Sequence, residues 1–350
     1  MHILVTGGSG FIGTNFIRYY LEKHPQDQIT NLDKLTYAAN PKGLKEYENN
    51  PRYHFIKGDI CDQALVQKIF KDSKEKNKKI DVIVHFAAES HVDRSLADPT
   101  LFLRTNILGT YNLLQTALDH SINRFHHVST DEVFGSVDRA DPSDTFTEDR
   151  AYQPSSPYSA SKAASDHLVR SFQHSFGLPT TISNCSNNYG PYQNPEKFIP
   201  RIITNLILGK NIPIYGQGLN IRDWLHVSDH CQAIDLILNK GRIGETYCIG
   251  GLTKDVSNLD LVKKILKAMN LPESRIEFVP DRPGHDDYRV SFQKIHQDLG
   301  WQPTYSLEKG LTQTIAWYQK NPAWWQKSKE EAESFYQKLT LKQKTKKLKK

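Results

Sequence analysis

Thr130-Asp131-Glu132 and, 26 positions after Glu132, Tyr158 with Lys162 are the residues here best equipped to move protons. A tyrosine and a lysine four apart share one helix face. A free phenol has a pKa of about 10, too high for a base near neutral pH. A neighbouring ammonium stabilises the phenolate and brings it into range. Such a pair suits removal of a proton from a sugar or alcohol hydroxyl. The adjacent Asp131 and Glu132 add a second acid and a second base. Neighbouring carboxyls raise each other's pKa, so one can stay protonated while the other acts as base. Oxidation of an alcohol alone does not need them; removal of water from a neighbouring carbon does. The plain alternative for Asp131-Glu132 is a loop or cap pair, and for Tyr158-Lys162 a surface helix pair.

These groups must be held by regular elements. Strand-like apolar runs lie near 2–7, 28–33, 53–58, 81–87, 124–129 and 180–186. Helical patterns near 11–23, 62–75, 100–120 and 158–176 separate them. Short apolar strands alternating with helices predict an α/β fold with a parallel sheet covered on both faces. Right-handed crossovers make it doubly wound, the Rossmann arrangement. Ligands of such folds collect at the carboxyl ends of the strands. Gly7, Asp33, Gly58-Asp59, Ala87-Ala88 and Ser129-Thr130 all fall there. Ser156 and Pro157 offer an N-cap and first position for the helix carrying Tyr158.

After about residue 188 the rhythm breaks with Asn188-Tyr-Gly-Pro-Tyr and Asn194-Pro-Glu, both loop signals. A helix is expected near 198–209, a strand at 212–215 and a helix at 257–269. We expect a dinucleotide-binding domain over 1–187, with 228–250 returning to it. A second, smaller mixed α/β lobe is expected over 188–227 and 251–326. Residues 306–326 read as a terminal amphipathic helix ending in Trp324-Trp325, which are packing or interface residues. Residues 327–350 are left as a C-terminal helix and basic tail.

Gly7-Gly-Ser-Gly10-Phe11-Ile12-Gly13 follows the first strand and opens the first helix. Glycines let the backbone approach a pyrophosphate, whose charge meets the helix N-terminus. Asp33 ends the second strand, 20 residues after Gly13. There a carboxylate accepts from a ribose diol and repels a 2′-phosphate, which favours NAD over NADP; Lys34 weakens that preference slightly. Asp59 suits the adenine edge or a cap for helix 62–75. With a dinucleotide bound, a positive nicotinamide ring would lower the Tyr158 phenol further.

Composition excludes other classes. Hydrophobic residues make 38% and charged residues 24%, ordinary for a globular protein. No run approaches the roughly 20 apolar residues of a membrane span. The opening MHILVTGG reads as a strand and not as a signal segment. Cys61, Cys185, Cys231 and Cys248 are far apart, so neither metal ligation nor a disulfide framework is expected, and a reducing cytoplasm fits. The net charge of +6 is that of six lysines within 341–350; the rest of the chain is balanced, which argues against a nucleic-acid groove. That tail is expected to be solvated and frayed.

Longer stretches carry a resemblance. They are VTGGSGFIG, NLDKLTYA, GDICD, VHFAAESHVDRS, RTNILGTYNLL, HHVSTDEVFG, SSPYSASKAASDHLVR, CSNNYGPYQNPEKFIP, NIRDWLHVSDH and DRPGHD. Over 1 to about 326 the chain resembles the extended short-chain dehydrogenases/reductases (the NAD-dependent epimerase/dehydratase superfamily). Among them it is similar to the nucleotide-sugar 4,6-dehydratases. The resemblance implies an internal redox cycle on a glucose nucleotide. Tyr158 takes the O4 proton as hydride leaves C4 for NAD⁺. Glu132 removes the C5 proton, Asp131 protonates the departing C6 hydroxyl, and hydride returns to C6; Thr130 holds O4.

The resemblance also implies NAD contacts at Gly7, Gly10, Phe11, Ile12, Gly13, Asp33, Lys34, Thr36, Asp59, Ile60, Ala87, Ala88, Ser90, Thr105, Tyr158, Lys162 and Asn188. It implies substrate contacts at Ser90, Thr130, Asn187, Lys197, Phe198, Pro213, Tyr215, Arg222, Arg282 and His285. A homodimer built on helices 100–120 and 158–176 is implied as well. Phe134, Asn184, Thr253 and Asp287-Tyr288-Arg289 depart from the expected pattern, which leaves dTDP and UDP both open as the nucleotide. Rivals are a nucleotide-sugar 4-epimerase or decarboxylase and a non-enzymatic dinucleotide sensor. Asp131-Glu132 argues against the epimerase, and the presence of Tyr158 and Lys162 against the sensor.

Overall fold

The computed structural model describes residues 1–347 apart from 77, 253 and 282–285, with side chains given to residue 335. Arg282, His285 and Thr253 therefore lie outside the described residues.

The first half runs β1 (His2–Thr6), α1 (Phe11–Lys23), β2 (Gln28–Asp33), β3 (Tyr53–Lys57), α2 (Gln63–Glu75), β4 (Val82–His85), α3 (Val92–Ala97), α4 (Pro99–Phe102), α5 (Thr110–Asp119), β5 (Arg124–Thr130), α6 (Pro157–Phe176) and β6 (Thr180–Cys185). It continues with β7 (Asn187–Tyr189), α7 (Phe198–Ile207), β8 (Ile212–Tyr215), β9 (Ile221–Arg222), β10 (Trp224–His226), α8 (Val227–Lys240) and β11 (Thr246–Ile249). Last come β12 (Val256–Ser257), α9 (Asn258–Ala268), β13 (Ile276–Val279), α10 (Gln293–Leu299), α11 (Leu307–Lys320) and α12 (Pro322–Lys347).

Seven strands pair in the order β11-β6-β5-β4-β1-β2-β3, every pair parallel. This is the doubly wound sheet expected from the alternation of strands and helices. Alternation along β1 divides the core. Leu4 packs with Val66 and Ile69 of α2, Leu113 of α5 and Val169 of α6. Ile3 and Val5 point the other way, to Phe16 and Ile17 of α1 and Ile234 of α8. Residues buried on both faces explain why the strands are continuous apolar runs. The strand order reverses between β1 and β4, and ligands of such sheets bind outside the carboxyl ends at that crevice.

Beyond the sheet, α7, α9 and α11 bury Ile203, Ile265 and Ile315 around Ile212 and Ile214 of β8. Among the described residues this lobe has no large sheet. Its strands pair two by two: β7 with β10, β8 with β13, and β9 with β12.

Two elements differ from the sequence expectation. The helix expected over 100–120 contains a π-helical stretch, Leu103–Gly109, between α4 and α5. Its cause is Asn106, which is buried and holds Glu89 N at 2.8 Å, Glu89 O at 3.0 Å and Ser161 Oγ at 2.8 Å. The wider turn lets that side chain face the loop after β4, a common use of such bulges. The terminal helix expected over 306–326 breaks after Lys320, and Pro322 opens a second helix that runs to Lys347. Proline lacks an N–H and its ring clashes with the preceding turn, so it starts a helix more readily than it continues one. Trp325 is fully buried, and its Nε1 donates to Tyr318 O at 2.9 Å.

Candidate active site

The carboxyl ends of β1, β2, β4, β5 and β6 and the loops of the smaller lobe enclose one cavity of about 480 Å³. All expected NAD contacts line it: Gly7, Gly10, Phe11, Ile12, Gly13, Asp33, Lys34, Thr36, Asp59, Ile60, Ala87, Ala88, Ser90, Thr105, Tyr158, Lys162 and Asn188.

The glycine loop shows why these residues suit a dinucleotide. Gly7 has φ +73°, and a Cβ there would sit 2.6 Å from Ala87 N. A Cβ on Gly13 would sit 2.5 Å from Gly7 O, so the start of α1 presses directly on the turn. Gly10 caps α1 without a side-chain bond, leaving the first amides of the helix for an anion. Asp33 is buried at the end of β2 and accepts from Ser9 N at 2.9 Å and Leu35 N at 2.7 Å. Burial pushes its carboxyl above the usual range. Asp59 is not the cap of α2: Asp62 is, accepting from Leu65 N. Asp59 stays on the cavity wall, paired with Lys34 at 2.8 Å. A glycine cradle, an open helix start and an acid ending β2 fit a dinucleotide with a free ribose diol.

Tyr158 and Lys162 reach the cavity from the first turns of α6. Ser156 and Ser159 exchange hydrogen bonds at 3.0 Å in a capping box, with Pro157 behind the cap. Lys162 Nζ donates to Val128 O at 2.9 Å and lies 3.2 Å from His127 Nε2. Burial lowers its pKa to about 8. The Tyr158 phenol is held well above its usual pKa by burial and by the Glu132 charge, with a Thr130 hydrogen bond opposing them.

Thr130 ends β5, and its Oγ1 accepts from Glu132 N at 3.3 Å and donates to Asp131 Oδ1 at 3.2 Å. Thr130 and Glu132 line the cavity. Asp131 is fully buried just behind that wall, next to Thr130. Burial, the Glu132 charge and the Asp223 charge hold its carboxyl well above the usual range, which favours its protonated form. The two acids differ in reach: Glu132 faces the cavity and Asp131 backs Thr130.

On the far wall stand Ser90, Asn187, Lys197, Phe198, Tyr215 and Arg222. Lys197 precedes α7, is half-buried, and donates to Ser90 O at 2.7 Å. The Arg222 guanidinium lies 4.4 Å from the centre of the Tyr288 ring. Pro213 is a correction: it does not line the cavity, whereas Ile214 and Tyr215 do. It sits one step back along β8, in register with Glu277 of β13. Of the departures, Asn184 is buried under Thr130, donating to Thr130 O at 3.1 Å, and Phe134 packs against Phe146. Neither reaches the cavity.

The sequence reading missed Glu89, Gln193, Glu196 and Tyr288, all on the cavity wall. Arg94 joins Glu196 through Nε at 3.1 Å and lies over the rings of Tyr37, at 3.6 Å, and Phe335, at 4.0 Å. Arg94 stands within the VDRS run and Glu196 follows Asn194-Pro. Nothing local in either run signals that they pair across a gap of 102 residues.

The fold and this cavity define a nucleotide-binding enzyme of the extended short-chain dehydrogenase/reductase type. The chain belongs to the GDP-mannose 4,6 dehydratase family, whose model matches residues 4–314. It is 51% identical to the dTDP-glucose 4,6-dehydratase of Haemophilus influenzae, over 91% of this chain and 98% of that one. It is similar to the structure of DesIV, a dTDP-glucose 4,6-dehydratase from Streptomyces venezuelae with NAD and TYD bound. The TM-score is 0.88 at 44% identity, covering 94% of this chain and 100% of that one. A dTDP-glucose 4,6-dehydratase from Bacillus anthracis in complex with NAD gives 0.86 at 42% identity, with 94% and 99% covered.

Proposed function

We propose that this chain is an NAD-dependent dTDP-glucose 4,6-dehydratase. It converts dTDP-glucose to dTDP-4-keto-6-deoxyglucose and water by oxidation at C4, loss of water across C5–C6 and reduction at C6. The observation that carries this reading is the Asp131-Glu132 pair at the end of β5. One member is buried with its carboxyl raised towards the protonated form, and the other is on the cavity wall beside Tyr158.

Bound NAD⁺ supplies a hydride acceptor, which later returns the hydride, and a positive ring. Gly7, Gly10, Gly13 and Asp33 hold its pyrophosphate and ribose. Tyr158 takes the O4 proton, with Thr130 bonded to the same phenol. Because burial and Glu132 hold that phenol high, a positive charge placed beside it is needed to release its proton. Glu132 then removes the C5 proton, made acidic by the C4 ketone. Asp131 supplies the proton for the departing C6 hydroxyl by relay: it donates to Thr130 Oγ1, 3.2 Å away, as that hydroxyl turns its own proton from Asp131 to the leaving oxygen. Lys197 and Arg222 take the diphosphate, which the planar guanidinium fits in a two-pronged way. Asn187 and Ser90 meet the substrate, and Phe198 and Tyr215 border the base.

Two copies associate in this reading. Leu96, Leu101, Leu103, Leu108 and Tyr111, on α3 to α5, and Phe176 at the end of α6 are exposed. Exposed apolar side chains gathered on neighbouring elements suit a protein interface, and joining two copies there would pack their α5 and α6 together. The cytoplasm is the proposed compartment: all four cysteines are free, and no helix among the described residues is long and apolar enough to cross a membrane.

The test supplies dTDP-glucose and UDP-glucose separately with NAD⁺ and looks for a product lighter by one water. Turnover of dTDP-glucose is expected to exceed that of UDP-glucose. A product of unchanged mass, as an epimerase makes, would overturn the reading.

A further inference from the structure

Under Lys162 lies a buried polar cluster to which the steps above give no role. His127 and Asp166 have no exposed surface. Asp166 Oδ2 accepts from Tyr152 Oη at 2.8 Å, Ser129 Oγ at 2.9 Å and Asn184 Nδ2 at 3.2 Å. Three donors on one oxygen fix the carboxylate in place; burial works against its charge, but His127, Lys162 and the Ser129 hydroxyl outweigh it and hold its pKa below the usual range. Its other oxygen, Oδ1, lies 3.2 Å from His127 Nε2 and has no hydrogen-bond partner of its own. The same ring nitrogen lies 3.2 Å from Lys162 Nζ. A ring nitrogen carries a proton or a lone pair, never both. With the lone pair, His127 accepts from the lysine and leaves Oδ1 bare. With the proton, it serves Asp166 and the lysine loses an acceptor. The ring nitrogen thus stands between a cation and an anion, with the Ser165 hydroxyl also 3.2 Å from it.

We infer that Asp166 is a positioning residue for Lys162: from the far side of the His127 nitrogen that both approach, its buried carboxylate balances the lysine's charge and holds it as an ammonium facing the cavity. The inference rests on the reading of Lys162 as part of the reaction site. A buried lysine sheds its proton readily unless an anion balances it, and Lys162 already sits near pKa 8. Other groups face this lysine too. Tyr158 and Arg170 stand on α6 itself, Arg170 donating to Tyr152 Oη at 2.8 Å. From β4 comes His85, whose ring is 5.2 Å from that of His127 and which burial keeps neutral. From β6 comes Cys185, whose thiol burial keeps protonated. After β5 come Asp131, whose carboxyl burial raises, and Glu132 on the cavity wall. Asp166 approaches the same ring nitrogen as Nζ.

The test titrates Lys162 directly in the full chain, by acetic anhydride labelling at a series of pH values with mass spectrometry of the peptide. In Asp166→Asn the labelling midpoint should fall by about one pH unit or more, so labelling at neutral pH should rise roughly tenfold. The NAD⁺-loaded enzyme should lose turnover at its alkaline limb at correspondingly lower pH, with KM unchanged. An unshifted midpoint overturns the inference. Should Asp166→Asn not fold, His127 decides. Gln at 127 can accept from Lys162 and donate to Asp166, so it should keep the wild-type midpoint; Leu should shift it down. Equal midpoints in the Gln and Leu variants overturn the inference too. Failure of the functional reading looks different: wild type would then make no dehydrated product while the midpoints still moved.

Discussion

One wall of the cavity grows from seven hydrogen-bonded strands; the other rests on three separate pairs of short ones, counting the described residues. Thr130 is the last residue of a ladder between β4 and β6, and Tyr158 stands in the first turn of a capped helix of 20 residues. Lys197 precedes a helix with no side-chain cap, and Arg222 ends a two-residue strand. The groups assigned to chemistry are thus on the rigid wall. The groups assigned to recognition are on pieces that depend on one another through loops. Proton transfer tolerates little misplacement, since about 1 Å can cost a hundredfold in rate, whereas a diphosphate can be met from several directions.

Substitution on the rigid wall should therefore act on turnover and leave binding alone. Glu132→Gln is isosteric and keeps the turn after β5. It should lower formation of the 4-keto-6-deoxy product by about 10²–10⁴-fold, with NAD⁺ affinity and melting temperature close to wild type. Absorbance of reduced cofactor should then build up, because oxidation at C4 no longer leads on to water loss. Near-wild-type turnover would show that another base acts at C5.

The same wall can be broken by backbone instead of chemistry. Gly7→Ala forces a Cβ into a left-handed position 2.6 Å from Ala87 N, where β1 and β4 part. Strain of about 1–3 kcal/mol is expected from the φ alone, before any clash. Denaturant unfolding should show at least that loss, and calorimetry should show little NAD⁺ binding. A variant that binds NAD⁺ like wild type would mean that the crevice opens more easily than its packing implies.

The rigid wall is also where sequence reading worked best. Alternation of strands with amphipathic helices, a glycine turn and an acid ending β2 are local signals, each carried by a few adjacent residues. They placed Gly7, Asp33, Thr130 and Tyr158 at strand ends or helix starts. What was not legible depends on distance in space. That Asp131 points behind Thr130 and Glu132 into the cavity follows from the 3₁₀ turn Asp131–Phe134, which no spacing rule gives. That Lys162 bonds Val128 O needs the packing of α6 on β5. The break at Pro322 was legible in principle, since a proline two residues before Trp324 opposes a continuous helix.

Acid should sharpen the comparison through buried histidines. His85, His126, His127 and His230 pack in or on the large sheet, and His226 sits on β10. Burial keeps all five neutral, with pKa values near 4 for His127 and His226 and near 3 for His230. Their folded values lie below the unfolded value of about 6.5, so the unfolded chain binds more protons in between. Stability is complete above about pH 6.5 and falls as pH drops towards the folded values. Each group contributes a slope of up to about 1.4 kcal/mol per pH unit. Asp131, raised by burial, opposes this with a single proton. Four of the five histidines belong to the sheet, while no tryptophan lies in 1–187. Hydrogen exchange in β4 and β5 should therefore accelerate at a higher pH than the shift in tryptophan emission. Coincident transitions would mean that the two walls unfold as one body.

The smallest effect is expected on the looser wall. Arg222→Lys keeps a positive charge but loses the planar fork and its stacking on Tyr288, 4.4 Å away. Lysine also lacks the guanidinium N–H that now donates to Ile221 O at 2.9 Å. The KM for dTDP-glucose should rise about tenfold, an amount of about 1.4 kcal/mol, while turnover at saturation changes little. If turnover fell as far as in Glu132→Gln, Arg222 would be placing the reacting carbon and not merely holding the diphosphate. The assignment of the two walls to chemistry and to recognition would then be wrong at its weakest point, the two-residue strand β9.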